Sequence, residues 1–357
     1  MSLVHQLNET NMLLVSTMDS MVPGINDAVF SKTPFLQFIL DNDIFSEDQF
    51  GPVVVHNVEY GKNDTFTYFE GYGNLVNRPK SGVTETRYDW CEWSIGLQLC
   101  RREELINRGD RAVFKLIDQK INNALKAAAE QLNYDFLRGD GTPGANGAKT
   151  HMGLDTLIGD KRSTVTSIGG IDCATSGNEY WQSLVVRPGD DGTGTVGSSE
   201  GVINANAFTT TISGVDYITN NLRIIDDVID YMDTYGPKPT FAVTPPRIKR
   251  DLIAILKAEG QEVLSSEEMT LKGGHDNIVY RGVMFVSDKN VPTGTIYLIN
   301  PDFLSLDAMV DGWFTQTEFV RPHNQAARYA YYLGMSQFST NNRRHLARID
   351  GLVPAFQ

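Results

Sequence analysis

Cysteine is scarce: Cys91, Cys100 and Cys173 are the whole complement of a 357-residue chain, an odd number with no CxxC pair. That argues against a disulfide framework or a structural zinc and leaves reduced thiols acting as small hydrophobes. Long apolar runs are missing too, with nothing approaching the ~18 residues a membrane span needs. The opening stretch, Met1 to Leu14, has no basic segment ahead of its apolar residues, so a secretory signal is not expected and the chain is expected to stay in a cytoplasm. Positive charge is in deficit, 31 Lys and Arg against 44 Asp and Glu. The resulting formal charge of −13 repels phosphate backbones and argues against a dedicated nucleic-acid binder; ordinary solubility explains it.

Concentrated chemistry is also sparse. Six histidines (His5, His56, His151, His275, His323, His345) stand singly, without the short spacing zinc enzymes use. No G-x-S-x-G elbow offers a serine nucleophile. The stretch Gly141–Thr150 imitates a phosphate-binding loop, but Ala148 separates the last glycine from Lys149, and the stretch follows a helix pattern where such a loop must follow a strand. It reads as a helix stop and a surface turn. Asp226, Asp230 and Asp233 fall at helical spacing and could share a face that holds a divalent cation. A solvated helix face, with acids near the helix start, is the plainer account. No enzyme emerges and no cofactor is implied; a metal-dependent hydrolase on those three aspartates is the alternative.

What the chain does contain is a long sequence of unlike elements. With 41% hydrophobic residues there is material for a real core, and the length suggests two or three lobes. Residues 1–51 mix short apolar stretches with polar breaks and read as an arm; Phe35, Phe38 and Ile39 fall at helical spacing within it. From Val53 the pattern turns to strands: Val53–Val55, then Thr65–Phe69, then Val83 to Cys100. In the last run Cys91, Trp93, Ile95, Leu97 and Leu99 share one face, with Tyr88 and Trp90 turned the other way. Gly71–Gly82 between them is rich in turn formers, so residues 52–98 form a long two-stranded excursion that needs another surface to lie on.

A helix follows Asp110, with a stripe of Val113, Ile117, Ile121, Leu125, Ala128, Leu132 and Phe136. About 28 residues at ~1.5 Å each predict a rod of roughly 40 Å. Later segments alternate: a helix over Leu222–Tyr235, a strand over Thr240–Thr244, a helix to about Glu259, then strands over Ile278–Val286 and Thr295–Ile299. Residues 187–214, rich in Gly, Thr, Ser and Asn, read as a surface insertion.

Several phrases in this order resemble the coat proteins of tailed bacteriophages with the Hong Kong 97-type fold. Tyr88-Asp-Trp-Cys-Glu-Trp-Ser-Ile-Gly-Leu97, leading through Arg102-Glu-Glu-Leu105, resembles the approach to their spine helix, and Gly153-Leu-Asp-Thr-Leu-Ile158 the phrase after it. Gly169-Gly-Ile-Asp-Cys-Ala-Thr175 with Tyr180-Trp181, then Thr240-Phe-Ala-Val-Thr-Pro245, Tyr280-Arg-Gly-Val-Met-Phe285, Ile296-Tyr-Leu-Ile-Asn-Pro301 and Ala347-Arg-Ile-Asp-Gly351 continue the match. No one phrase is diagnostic; their joint order over most of residues 50–355 carries the likeness, and the 187–214 insertion departs from it.

The resemblance implies an α+β fold with an N-terminal arm (1–51), an extended β-hairpin loop (52–98), a peripheral domain with the spine helix (99–150 and 300–357) and an axial domain (151–299). It implies a major capsid protein that assembles with itself into pentamers and hexamers of an icosahedral virion shell. The shell would enclose DNA without sequence-specific binding, and a cellular encapsulin-like compartment of the same fold is an alternative. A portal is implied; a scaffold is either a separate protein or a segment removed by processing, since no long charged helix stands before the arm. Phe30, Phe35 and Phe38 on the arm and Tyr60, Phe66, Tyr68, Tyr72 and Trp90 on the excursion are the expected assembly contacts, while Trp93 is expected within its own lobe. Deleting residues 1–40 is then expected to leave a soluble chain that no longer closes shells, checked by electron microscopy of the truncated protein.

Overall fold

The computed structural model describes residues 33–42, 44–61, 65–72, 82–106, 110–143, 147–186, 216–258 and 278–352. Phe30 and the 187–214 insertion therefore lie outside the described residues.

Two sheets organise the chain. A five-stranded sheet runs β1 (Phe45–Gln49), β12 (Leu304–Met309), β14 (Ala327–Thr340) and β13 (Thr315–Gln316), with β4 (Cys91–Cys100) also paired to β14. The β4–β14 ladder is the longest, antiparallel from Ala327↔Cys100 to Ser336↔Cys91. A six-stranded sheet runs β7 (Leu184–Val186), β15 (Leu346–Ile349), β11 (Ile296–Ile299), β8 (Phe241–Thr244), β10 (Val283–Ser287) and β9 (Ile278–Tyr280). Strand β8 pairs with β10 in parallel, the helix α6 (Pro246–Ala258) lying between them in sequence, as a parallel connection requires. Alternation along these strands divides two cores. Phe241, Val243, Tyr297 and Ile299 face a large cluster shared with the other sheet, whereas Ala242, Ile296 and Leu298 face α6 and the helix α5 (Asp216–Tyr235).

The long helix, α3 (Asp110–Arg138, 29 residues), has its described stripe Ile121, Leu125, Ala128, Leu132 and Phe136 buried, as the spacing predicts. It follows the short helix α2 (Arg101–Ile106) and precedes the one-turn helix α4 (Leu154–Leu157). The α5 stripe Leu222, Ile225, Val228, Ile229 and Met232 is likewise buried.

Four readings of the sequence change. Residues 65–70 are irregular and not a strand, having no ladder partner among the described residues. The run Val83–Cys100 divides at Trp90 into β3 (Val83–Asp89), which pairs with β2 (Val53–Glu59), and β4, which pairs with β14. Burial shifts parity there: Thr86 and Tyr88 are buried on β3, then Cys91, Leu97 and Leu99 on β4. Residues 278–286 form a hairpin turning at Arg281-Gly282, both with positive φ, the backbone of a type I′ turn. Finally, β15 joins the six-stranded sheet, so residues 346–349 part from the rest of 300–357.

The arm is shorter than its polar breaks suggest. Helix α1 (Pro34–Asp41) is seated in the chain's own core: Phe35 meets Phe338 edge to face, Phe38 stacks on Phe241, and Asn133 of α3 accepts a hydrogen bond from the Leu36 amide at 3.2 Å. Phe35 and Phe38, expected as contacts to a neighbour, are fully covered within their own chain. A deletion to residue 40 removes core, so the expectation of a soluble truncated chain is corrected. Phe38→Ala should cost about 3–5 kcal/mol, read from denaturant midpoints.

His151 is buried beside Phe136 with Nε2 3.0 Å from the Ser336 hydroxyl, and burial lowers its pKa to about 4. Unfolded histidine takes a proton near pH 6.5, so between there and pH 4 the unfolded chain binds the extra proton and stability falls as pH falls. The loss should reach about 3 kcal/mol by pH 4 and be absent from the pH profile of His151→Gln, measured by urea denaturation across that window.

Candidate assembly surfaces

The excursion has a fixed base and a free tip. At the base, β2 and β3 pair from Val53↔Asp89 to Glu59↔Val83. The Tyr88 hydroxyl donates to the Thr340 carbonyl at 2.9 Å and Arg87 N–H to the Gly169 carbonyl at 3.0 Å. Burial pushes the Tyr88 pKa up, so the hydroxyl keeps its proton and remains a donor. His56 Nε2 lies 2.8 Å from Ser339 Oγ and 3.6 Å from the buried Asp307 carboxylate, which accepts from Ser339 at 3.0 Å and Ser305 at 3.1 Å. Gly169 and Gly170, both at positive φ, turn the small hairpin of β5 (Ser167–Ile168) and β6 (Ile171–Asp172). A Cβ on Gly169 would meet Thr86 at 2.9 Å, so the Gly-Gly pair serves both the turn and the approach to β3.

Behind that turn, Arg343 is fully buried and donates to the carbonyls of Leu157, Gly159 and Trp181 at 2.7–3.0 Å. Burial pulls its pKa below the usual guanidinium value, and these carbonyl bonds hold the charge in place of water. Trp181 Nε1 donates to the Ile168 carbonyl at 3.0 Å. The segment on which the excursion rests is thereby tied to the chain's C-terminal part.

At the tip, Phe66 (77% exposed), Tyr68 (93%), Phe69 (62%) and Tyr72 (107%) project into solvent. Exposed aromatics in such a run mark an interaction surface. Of the expected contacts, Phe66, Tyr68 and Tyr72 are thus grouped and free. Tyr60, at the head of the ladder, stacks on Tyr180 of its own chain, centroids 4.9 Å apart. Trp90 is half-buried and donates from Nε1 to the Gly51 carbonyl at 2.9 Å, a contact that closes the excursion's base within one chain. Four exposed aromatics among the described residues were missed, Phe50, Phe69, Tyr134 and Tyr331. Phe69 belongs to the same run as Phe66 and Tyr68 and was legible from it; Phe50 directly follows β1 and carried no periodic signal.

The outer face of the β4–β14 ladder carries a second surface. Inward residues Ala330, Tyr332 and Phe338 enter the core, while Tyr331 and Leu333 remain exposed, with Val320 beside them. Between this face and the turn at Asp311–Phe314 lies a groove of about 540 Å³ lined by Glu92, Trp93, Ser94, Ala148, Asp311, Gly312, Thr315, Leu333, Gly334 and Met335.

Asp226 and Asp230, the core of the hydrolase alternative, are engaged by a cation of the chain. Arg281 reaches Asp226 at 3.2 Å and Asp230 at 2.5 Å, and the Tyr280 hydroxyl donates to Asp226 at 3.1 Å. The Asp230 contact, then Asp226, raises the Arg281 pKa, so the guanidinium is a fixed partner. Asp233 is exposed and outside this set. The cluster therefore joins α5 to the β9–β10 turn. The described flanks of the phosphate-loop look-alike pair with each other: Asp140 bridges Met152 and Pro143 bridges Lys149, whose ammonium pairs with Asp89. No helix among the described residues is long and apolar enough to cross a membrane.

No family model matches the sequence, and no curated protein is similar to it in sequence. Solved structures are similar in fold. The capsid of cyanophage A-1(L) aligns with TM-score 0.62 and 15% identity over 90% of this chain and 92% of that one. The capsid of the native GTA particle aligns at 0.54 and 10% over 89% and 90%. The encapsulin of the holo-SrpI complex from Synechococcus elongatus PCC 7942 aligns at 0.51 and 11% over 88% and 86%. With fold likeness extending over about nine-tenths of each chain, this protein has the Hong Kong 97-type fold of phage capsid proteins.

Proposed function

We propose that the chain is a major capsid protein, a structural subunit that assembles with itself through five- and six-membered rings into a closed icosahedral shell. The observation that carries this reading is the tip of the excursion: four solvent-facing aromatics on a base fixed in its own chain, within a fold shared with capsid subunits over about nine-tenths of both chains. Such a tip has no core to enter in the monomer and gains one only on another molecule. In a shell each subunit makes several such contacts, each of ordinary size near ~1,600 Å² buried, and their sum makes dissociation negligible even where a single pair is weak. The acidic balance, −13 overall, suits a wall that encloses DNA without gripping it. The virion shell would be its location, with a scaffolding protein and portal as assembly partners.

A cellular compartment shell is the second reading, supported by the likeness to the holo-SrpI encapsulin. The contents separate them: nucleic acid in shells recovered from cells supports the virion, protein cargo the compartment. Replacing Phe66, Tyr68, Phe69 and Tyr72 by serine should leave thermal unfolding within about a degree of wild type yet reduce closed shells at least tenfold by negative-stain electron microscopy. Wild-type chain that stays monomeric, alone and with its scaffold, would overturn the shell reading.

A further inference from the structure

In its C-terminal part the chain passes between its two sheets twice. Residues 300–303 carry it from β11 to β12, and residues 341–345 carry it back from β14 to β15. The two crossings lie side by side. The Phe303 carbonyl accepts from the Thr340 hydroxyl at 2.7 Å and from the Asn341 amide at 3.3 Å. Asn300 Nδ2 donates to the Lys238 carbonyl at 3.3 Å, which brings the segment after α5 to the same place.

His345 sits at the centre of this joint, 8% exposed. Its imidazole stacks on Phe303, centroids 4.0 Å apart, so a ring from one crossing lies on a ring from the other. It also meets backbone: a Cβ on Gly236, the residue after α5, would lie 2.0 Å from its Cε1. The glycine is required there by space. Among the described residues His56 reaches two hydroxyls and a carboxylate, and His151 reaches a hydroxyl. The ring nitrogens of His345 have no hydrogen-bond partner among those residues.

The charged groups around the joint supply none. Arg344 adjoins His345 in the chain, and Arg343 is spent on three carbonyls. Asp233 and Lys238 near the end of α5, Asp302 in the first crossing and Glu179 in the turn before β7 are all exposed. Burial, then Arg344, lowers the His345 pKa. A proton on the ring thus places a charge without a counter-ion in an enclosure of ring and backbone. Opening the joint lets water solvate that charge, so the open form binds the proton more tightly and acid favours opening. The same link carries a second weak point. Asn341 Oδ1 is buried with no hydrogen-bond partner among the described residues, which lowers the local cost of opening.

We propose that His345 is an acid-released clasp between the two crossings, holding the sheets in one relative placement when neutral and freeing residues 300–303 and 341–345 when protonated. The clasp acts within one chain and does not depend on the shell reading.

The test is hydrogen exchange of the full-length chain at about pH 7 and about pH 5, corrected for intrinsic rates, with circular dichroism to confirm folding. Between those values the amides of Phe303, Asn341 and Leu346 should lose about tenfold more protection in wild type than in His345→Phe or His345→Gln. The first variant keeps a stacked ring; neither can titrate. Amides of the β4–β14 ladder should respond alike in all three chains, because His151 titrates in each. Gly236→Ala should expose the joint amides already at neutral pH, by displacing the imidazole from Phe303. An acid response at the joint equal in wild type and both His345 variants would overturn the clasp. A difference of the same size in the ladder would make His345 a determinant of the whole fold and overturn it too. So would full protection of the joint amides in Gly236→Ala at neutral pH.

Discussion

Strand β14 is the element on which everything else is hung. Its 14 residues pair with β4 on one side and β12 on the other, and its last residues hold the excursion's base through Ser339 and Thr340. Its inward residues Ala330, Tyr332 and Phe338 fill the core that α1 and α3 cover. A ladder of that length tolerates no slip of register, because a shift by one residue would turn Tyr332 and Phe338 to solvent and Tyr331 and Leu333 inward. Position along β14 therefore fixes three things together: the core, the direction of the excursion, and the outer face beside the groove.

The polar groups around this strand act as fasteners. Arg343 is held by three carbonyls and Asp307 by two hydroxyls with His56 nearby, while His151 contacts the Ser336 hydroxyl. Buried polar groups in such networks cost much if one member is lost, which favours a single arrangement over near alternatives. On the shell reading proposed above, a uniquely placed base matters more than extra stability. The same economy explains the acidic cluster on α5, which closes on Arg281 and fastens a turn.

The elements with strong internal period were legible. The stripes of α3 and α5 and the odd-numbered face of β4 were readable because each buries one side against whatever partner it finds. Less legible were features that depend on a distant partner. Phe35 and Phe38 read as belonging to an arm in search of a neighbour, since nothing nearby in sequence shows that Phe241 and Phe338 will cover them. Tyr88 read as turned away from the core because period two places it opposite Cys91; the break at Trp90 gives β3 a different sheet, and its other face meets Gly169 and Thr340.

The sequence by itself determined the order of the elements, the period of each and the aromatic character of the excursion, because these follow from local spacing and side-chain type. Only the tertiary structure decided which aromatics are free. Tyr60 and Trp90 are spent on their own chain while Phe66, Tyr68, Phe69 and Tyr72 are not, and that division depends on where the ladder ends and what lies under its base. Exposure is a property of the partner surface as much as of the residue, and partners here lie up to 283 positions apart, as His56 and Ser339 do.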